Sequence, residues 1–464
     1  MNLNSKKIFY YILFSHLILW TIIPTIFNTN LPLDTIEGLV WGNELKLGYE
    51  KYPPIFPLFT ELFYLIFGNQ DWAYYFLSQL FVVLSFLVIF ELSKYFFQDD
   101  LHRLLSVLLL ECIYFLNYTT PELNAFIPLF LFNSLTALFC WKAIKFNKNS
   151  DWILFGVFAG ISTLTYYLAL YLLASLSIFF IREIFINKKI NHKYFLALIT
   201  YFIILSPHLY YIYSDNFKSI EYALFRSFGD PLSGISVIKI FDHIFYPIIF
   251  LVKQFLILVP LFIFVRLVAQ SFKTEINFSD KKLVFLIAIT FLPIFLMFLT
   301  SIIGGIRIRT MWMTTFYMFP GIFFIYVLRN KIIAENFKKF LIIFLIVFIS
   351  LPVIYGAQSY IQTDKRTDFP GKKIASEIQR EWDKNFNNKI QIVVGDGWVY
   401  GGWYGGNLSY HLADRPKLRY KIKDNYLNEG LVKIDTLNSI KFCDGVLLKI
   451  EPYFDSCLLG KVNN

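Results

Sequence analysis

Long apolar runs separated by short polar stretches occupy the first three quarters of the chain. Windows of about 18 or more apolar residues read as membrane spans. They fall near 8–27, 72–97, 104–118, 124–145, 151–165, 167–181, 194–213, 244–267, 283–303, 313–328 and 340–356. The pattern predicts a mostly α polytopic membrane protein of about eleven transmembrane helices over residues 1–356. After Tyr355 the composition turns polar, and residues 357–464 read as a separate small α/β domain. Within it Ile374, Ile378 and Trp382 give Gly371 to Trp382 helical spacing, while Lys389 to Val394 is a β-branched strand running into Gly395-Asp396-Gly397.

The chain is 56% hydrophobic, 20% aromatic and only 16% charged, which excludes an ordinary soluble domain. Its net charge of +10 invites a nucleic-acid reading, but the basic residues fall in alternate loops. Lys6 and Lys7, Lys94 with Arg103, Lys142 to Lys148, Arg182 to Lys193, Arg266 to Lys282 and Arg329 to Lys339 share one side of the predicted spans. The positive-inside rule then puts the N-terminus in the cytoplasm of a bacterial inner membrane. An odd number of spans puts the C-terminal domain in the periplasm, and no nucleic-acid partner is expected. The first apolar run is too long for a signal-peptide core and reads as a retained anchor. Cys112 and Cys140 fall in spans as packing residues. Cys443 and Cys457 either pair, for about 3 kcal/mol, or stay as buried thiols, and both alternatives remain open.

Candidate chemistry concentrates in the first loop, 28–71. Asp34 and Glu37 sit at i and i+3, so a helix over Thr35 to Leu47 puts both carboxylates on one side. Gly48 is expected to stop that helix, Lys51 and Tyr52 follow, and Pro53-Pro54 turns the chain into a second interfacial helix ending at Gly68. The second loop carries Pro121, Glu122 and Asn124. Glu122 there is either a first-turn complement to the helix dipole or a substrate contact. A third loop holds Asp215, Arg226, Asp230 and His243, and a fourth holds Gly304-Gly305 with Arg307 and Arg309, a pair suited to a phosphate. Glu111 and Lys253 fall inside spans, where each is costly. The stretch Gly397 to Gly406 interleaves glycines with Trp398, Tyr400, Trp403 and Tyr404, as a sugar-lining surface or as interface packing, with packing the better-supported reading. No His/Cys metal spacing appears. A carboxylate pair can hold a divalent cation, which leaves that cofactor open, but two ligands are too few to argue one.

Acids on one loop, arginines at a nearby membrane mouth and many aromatic residues suit transfer of a sugar from a lipid-phosphate carrier to a hydroxyl. A carboxylate can deprotonate the acceptor, and positive charge can stabilise the leaving phosphate. The run D-x-x-E-G-x-x-W-G followed by G-Y-x-K-x-P-P resembles the first external loop of bacterial family 39 glycosyltransferases, relatives of protein O-mannosyltransferases and the aminoarabinose transferase acting on lipid A. Pro121 to Asn124, Trp141-Lys142-Ala143, Gly156 to Tyr167, Pro207-His208-Leu209-Tyr210 with Asp215, Gly305 to Trp312, Phe369-Pro370-Gly371 and Val394-Gly395-Asp396 resemble later family segments in the same order. The resemblance implies a GT-C fold and an inverting transferase that uses a polyprenyl-phosphate sugar donor. It also implies a lipid A, glycan or protein acceptor and contact with membrane lipids. It makes Asp34 the general base with Glu37 as its acidic neighbour. The implied substrate contacts are Lys51, Tyr52, Glu122, Asn124, Tyr167, His208, Arg307 and Arg309. Tyr52 stands where the family commonly has His, and Tyr166-Tyr167 where it has Lys-Tyr, so the charge for the donor phosphate falls to Arg307 or Arg309 unless the donor differs. A lipid-linked sugar flippase and a non-catalytic glycan-binding envelope protein are the alternative functions.

Overall fold

The computed structural model describes residues 4–228, 240–421 and 430–462; Asp230 of the third loop lies outside them. Among the described residues seven helices are long and apolar enough to cross a membrane, making this a multi-pass membrane protein. They are α1 (Ser5–Phe27), α4 (Asp71–Ser93), α6 (Phe126–Phe146), α8 (Ala169–Asn187), α9 (Tyr194–Ser214), α11 (Asp242–Val268) and α15 (Phe337–Ile361). Two bent pairs raise the count to nine if each is one span. These are α12 (Lys281–Thr290) with α13 (Leu292–Gly304), and a 3-10 segment, Thr310–Met318, with α14 (Pro320–Leu328). Between the spans lie α2 (Leu33–Gly42), α3 (Ile55–Phe67), α5 (Asp100–Leu108), α7 (Asn149–Thr165) and α10 (Lys218–Phe228).

All eleven expected segments are helical; among the described residues seven to nine of them qualify as spans by length and composition alone, and the two shorter ones are α7 and 104–118. The 17 residues of α7 reach about 26 Å at 1.5 Å per residue, short of a hydrocarbon core of about 30 Å. Its place in the bundle is set by packing between α6 and α9. Gly156 makes this possible: a Cβ there would fall 2.4 Å from the Ala197 carbonyl oxygen, the close approach that small-xxx-small spacing permits.

The other short segment, 104–118, breaks after α5 into 3-10 turns around Glu111. Glu111 is buried, and its carboxylate lies 2.7 Å from His16 Nδ1. His16 Nε2 sits 3.1 Å from Gln79 Oε1, which also accepts from the Thr120 hydroxyl at 3.2 Å. Ser78 donates to the Thr120 carbonyl at 2.5 Å. Buried polar groups demand partners, and here those partners pin the loop that carries Glu122. Lys253, the other ionisable residue placed in a span, is exposed on the surface of α11.

The last span runs on to Ile361, past the change in composition. Beyond it α16 (Gly371–Asn385) packs beside a five-stranded sheet of order β2-β1-β3-β5-β4. Its strands are β1 (Ile392–Gly395), β2 (Lys417–Arg419), β3 (Leu431–Asp435), β4 (Val446–Ile450) and β5 (Phe454–Leu459). The β1 residues are all buried, as a central strand flanked on both sides requires. It runs parallel to β2 (Ile392 against Lys417) and to β3 (Ile392 against Leu431). Antiparallel pairing of β3 with β5 and of β5 with β4 completes the sheet. Cys443 and Cys457 form a disulfide, while Cys112 and Cys140 are buried free thiols.

This C-terminal unit docks on the first loop. The Thr367 carbonyl accepts from the backbone N–H groups of Thr29 and Asn30, each at 2.9 Å. In α17 (Gly406–His411), Asn407 Oδ1 accepts from the Asn30 side chain at 2.7 Å, and the Tyr410 hydroxyl donates to Asp71 at 2.8 Å. Arg415 holds Glu61 through two hydrogen bonds of 2.8 and 2.5 Å, its guanidinium 3.3 Å from the Tyr64 ring centroid. The two side chains are only 13% and 7% exposed. Removing one partner strands a buried charge, so Arg415→Ala is expected to cost about 3–5 kcal/mol. Thermal unfolding should show a lowered midpoint, and the double replacement with Glu61→Met should recover most of it.

Candidate active site

The first loop's acids lie on α2. Ile36, Leu39 and Val40 are buried in the protein, which turns Asp34, Glu37 and Trp41, at i, i+3 and i+7, toward a cavity. The helix ends at Gly42 rather than continuing to Leu47, so Gly48 does not terminate it. Gly38 lets α3 cross closely, since a Cβ there would meet the Phe56 ring at 2.6 Å. The Thr60 hydroxyl donates to the Gly38 carbonyl at 2.8 Å. A third contact, Thr35 Oγ1 to the Leu123 carbonyl at 3.0 Å, ties α2 to the second loop.

Lys51 returns from the turn between α2 and α3 onto the acid pair. Its ammonium is 2.6 Å from Glu37 Oε2 and 3.5 Å from Asp34 Oδ1. Burial pulls Lys51 down, but Asp34 and Glu37 together outweigh it and leave it above the ordinary lysine value. Burial, opposed by Lys51, raises Glu37 above the ordinary carboxylate value. Tyr52 is buried below the acids. Its ring lies 5.2 Å from Trp41 and 5.7 Å from Tyr166 between centroids, and burial followed by the two carboxylates keeps its phenol protonated.

The cavity has a volume of about 1470 Å³ and is lined by four carboxylates, Asp34, Glu37, Glu50 and Glu122, and four cations, Lys51, Arg226, Arg309 and Arg366. Lys51 is neutralised by its partners. Among the described residues Arg226, Arg309 and Arg366 carry no ion pair, so their charge is available to an anion. One wall is apolar, made by Leu170 and Ala174 of α8 with Leu296, Leu299 and Ile303 of α13. Leu170 and Ile303 are 46% and 77% exposed, so this wall reaches the apolar outer surface of the bundle.

Glu122 lines the cavity and is exposed to it, with protein crowded around its carboxyl group. Burial, then the Asp34 charge, raises its carboxyl to about 7, against the backbone N–H of Asp34 that it accepts. It does not cap a helix, because α6 begins at Phe126. Asn124 does that work, its side-chain oxygen accepting from the Phe126 N–H at 3.0 Å. A carboxyl whose folded value lies above its unfolded one stabilises the fold less as pH rises from about 4.5 through about 7. The melting temperature of wild type is therefore expected to fall between pH 5 and 8, and Glu122→Gln to flatten part of that slope.

Of the residues singled out in the sequence, Asp34, Glu37, Lys51, Tyr52, Glu122, Asn124, Tyr167 and Arg309 line the one cavity. His208 and Arg307 do not. His208 is buried behind the wall, where its Nδ1 lies 2.8 Å from the Leu47 carbonyl and its Nε2 2.8 Å from the Tyr167 hydroxyl. Donation to the carbonyl leaves Nε2 to accept from the phenol, so His208 positions Tyr167. Arg307 is exposed away from the cavity. Sequence reasoning missed Arg366 and Tyr222 and gave Arg226 no role. Arg366 carried a signal, a basic residue just past the last span on the side opposite the lysine-rich loops. Asp34 and Glu37 hold Lys51 where a divalent cation between them would sit, and among the described residues no group of three His, Cys, Asp or Glu is placed to hold a metal ion.

Residues 51–211, about a third of the chain, match the family model described as dolichyl-phosphate-mannose-protein mannosyltransferase. A search of curated proteins finds no match. Among solved structures, the chain is similar to ArnT from Cupriavidus metallidurans bound to undecaprenyl phosphate, with a TM-score of 0.65, 11% identity and 98% of each chain covered. The apo form of the same protein gives 0.62 and 10% identity over 97% of each. The whole chain therefore has the GT-C fold of that transferase, with the C-terminal unit included.

Proposed function

We propose that the chain is an inverting glycosyltransferase that moves a sugar from a polyprenyl-phosphate donor to an envelope acceptor hydroxyl. The observation that carries this reading is a cavity that holds a carboxylate, Asp34, together with an apolar wall open to the bundle surface and arginines that form no ion pair among the described residues. The family model matched over 51–211 and the likeness to a transferase that binds undecaprenyl phosphate point the same way.

The donor's isoprenoid tail lies along the wall of α8 and α13, which keeps its apolar surface out of water. Its phosphate sits toward Arg309 and Arg226. Asp34 takes the proton of the acceptor hydroxyl as that oxygen attacks the anomeric carbon from the face opposite the phosphate. The bond from anomeric carbon to phosphate oxygen breaks, the electron pair stays on the polyprenyl phosphate, and the sugar is inverted. Fixed arginines stabilise the charge that develops on the leaving oxygen, which favours the transition state over the bound donor. Lys51, shared by Asp34 and Glu37 at 3.5 and 2.6 Å, holds the base in place. The first loop and the C-terminal unit lie on the periplasmic side of the inner membrane, as the basic alternate loops indicate.

The test is a mass-spectrometric comparison of envelope lipids and glycans from cells with the wild-type chain, with Asp34→Asn, and with no copy. A sugar mass lost in both the deletion and Asp34→Asn, at equal protein level, is the expected result. A profile altered only by the deletion removes Asp34 as base and favours transport or scaffolding.

A further inference from the structure

We propose that Arg366 and Trp398 form an acceptor subsite that binds a saccharide carrying a phosphate or carboxylate group. The proposal rests on the glycosyltransferase reading and goes further, naming the class of acceptor and the residues that select it.

The cavity has two chemically distinct ends. Toward α8 and α13 its lining is aliphatic. At the other end Gly397, Trp398 and Tyr420 of the C-terminal unit and Arg366 of its leading segment close it. Four aromatic residues occupy the glycine-rich run, and the structure divides them. Trp403 is buried at 7% exposure, and Tyr404 packs on Phe369 and Phe454 at 5.4 and 5.3 Å between centroids. Tyr400 packs on Tyr404 at 5.8 Å. Trp398 alone of the four lines the cavity and is 49% exposed. Gly397, with φ of 62°, supplies the left-handed turn from which it projects. A half-exposed indole in a wet cavity offers the flat apolar face on which the C–H face of a sugar ring packs.

Arg366 completes the pair. Its guanidinium lies 4.8 Å from the Trp398 ring centroid, and the indole stays half exposed beside it. No carboxylate among the described residues pairs with it. Its backbone is fixed on both sides. The next residue, Thr367, accepts two hydrogen bonds from the first loop at 2.9 Å, and Lys365 Nζ is held by Asp368 Oδ1 at 3.0 Å. A free guanidinium on a rigid turn is preorganised for bidentate recognition of an oxyanion.

The anion in question could in principle be the donor's own phosphate, and the arrangement of charges argues against it. Arg226 and Arg309 act on Tyr166 and Tyr222, whereas Arg366 acts on Glu122 and lies against Trp398 of the C-terminal unit. Asp34 acts on both Tyr166 and Glu122, so its carboxylate serves both groups of cations, Arg226 and Arg309 for the leaving group and Arg366 for the nucleophile. An anionic group held by Arg366, with its sugar ring on Trp398, presents a hydroxyl toward Asp34.

The experiment uses the full chain in lipid nanodiscs with undecaprenyl phosphate at saturation, so that the donor end is filled. Saturation-transfer NMR then compares glucose 1-phosphate, glucuronate and glucose. Both charged sugars are expected to bind, with affinity about tenfold or more above that of glucose. Arg366→Gln should reduce them to the level of glucose while leaving undecaprenyl phosphate affinity unchanged, which also shows that the variant is folded. Trp398→Ala should lose all three sugars and Trp398→Phe should retain them. The proposal is overturned if wild type binds none of them, if glucose binds as well as its charged relatives, or if Arg366→Gln weakens undecaprenyl phosphate and spares the sugars. No turnover is needed. A chain that fails to transfer sugar in the envelope comparison yet binds these probes would sink the enzyme reading and leave the subsite standing.

Discussion

Asp34→Asn is expected to lower the rate of sugar transfer by about 10²–10⁴-fold, the usual contribution of a positioned general base. The replacement keeps the shape of the side chain and its place on α2. It removes the negative charge, and with it the ability to accept a proton and the ion pair to Lys51 at 3.5 Å. Nothing in the fold depends on that ability, because α2 is held by Gly38 against α3, by Thr35 to Leu123, and by its buried face. Donor affinity should therefore stay within a few-fold of wild type, and single-turnover kinetics at saturating donor would read the loss in the chemical step alone. A drop in donor affinity with an unchanged chemical step would instead make Asp34 a binding residue.

Lys51→Met is expected to be nearly as damaging, for a different reason. The ammonium separates two carboxylates that share one face of α2, at 2.6 and 3.5 Å. Without it the like charges of Asp34 and Glu37 face each other in a poorly solvated site, and one of them takes up a proton. With one of the cavity's four cations also gone, transfer should fall by about 10² or more at neutral pH, by analogy with the loss of one stabilising electrostatic partner. Because the missing cation raises the carboxyl that must be ionised, part of the activity should return as pH rises. Lys51→Arg, which restores the charge, should recover more than Met at every pH. A Met variant as slow at pH 9 as at pH 7 would show that Lys51 acts on the phosphate rather than on the acids.

How much of this was legible in the sequence depends on how local the determining contacts are. Apolar length reports span position well, and each of the eleven windows is helical, because burial in lipid and helix formation demand the same thing of those residues. It does not report where a helix bends or stops. The segment breaks at Glu111, whose carboxylate lies against His16 of α1, itself held by Gln79 of α4, contacts that no local pattern reports. The i, i+3 spacing was enough to put Asp34 and Glu37 together. The end of α2 was not predictable locally: Arg415, more than 370 residues away, donates to the Leu39 carbonyl at 3.3 Å, and its own carbonyl accepts from Asn43. Glu122 looked like a helix-start residue from Pro121, yet α6 begins later and frees it for the cavity. Arg226, Tyr222, Arg366 and Trp398 join the site from parts of the chain distant from α2, and no periodicity encodes that meeting. Among the sequence candidates, Arg309 reaches the cavity and Arg307 does not, a distinction that two arginines in an irregular segment give no pattern to draw.

The most direct test of the central claim follows the sugar itself. Purified full-length chain in proteoliposomes would be given the pool of polyprenyl-phosphate sugars extracted from cells lacking it, together with the envelope material of those cells. Mass spectrometry would then read both ends of the reaction. The account predicts that polyprenyl phosphate appears one for one with glycosylated acceptor, and that Asp34→Asn stops both. If the lipid-linked sugar stays intact but crosses the bilayer, or if Asp34→Asn releases polyprenyl phosphate as fast as wild type, the account is wrong.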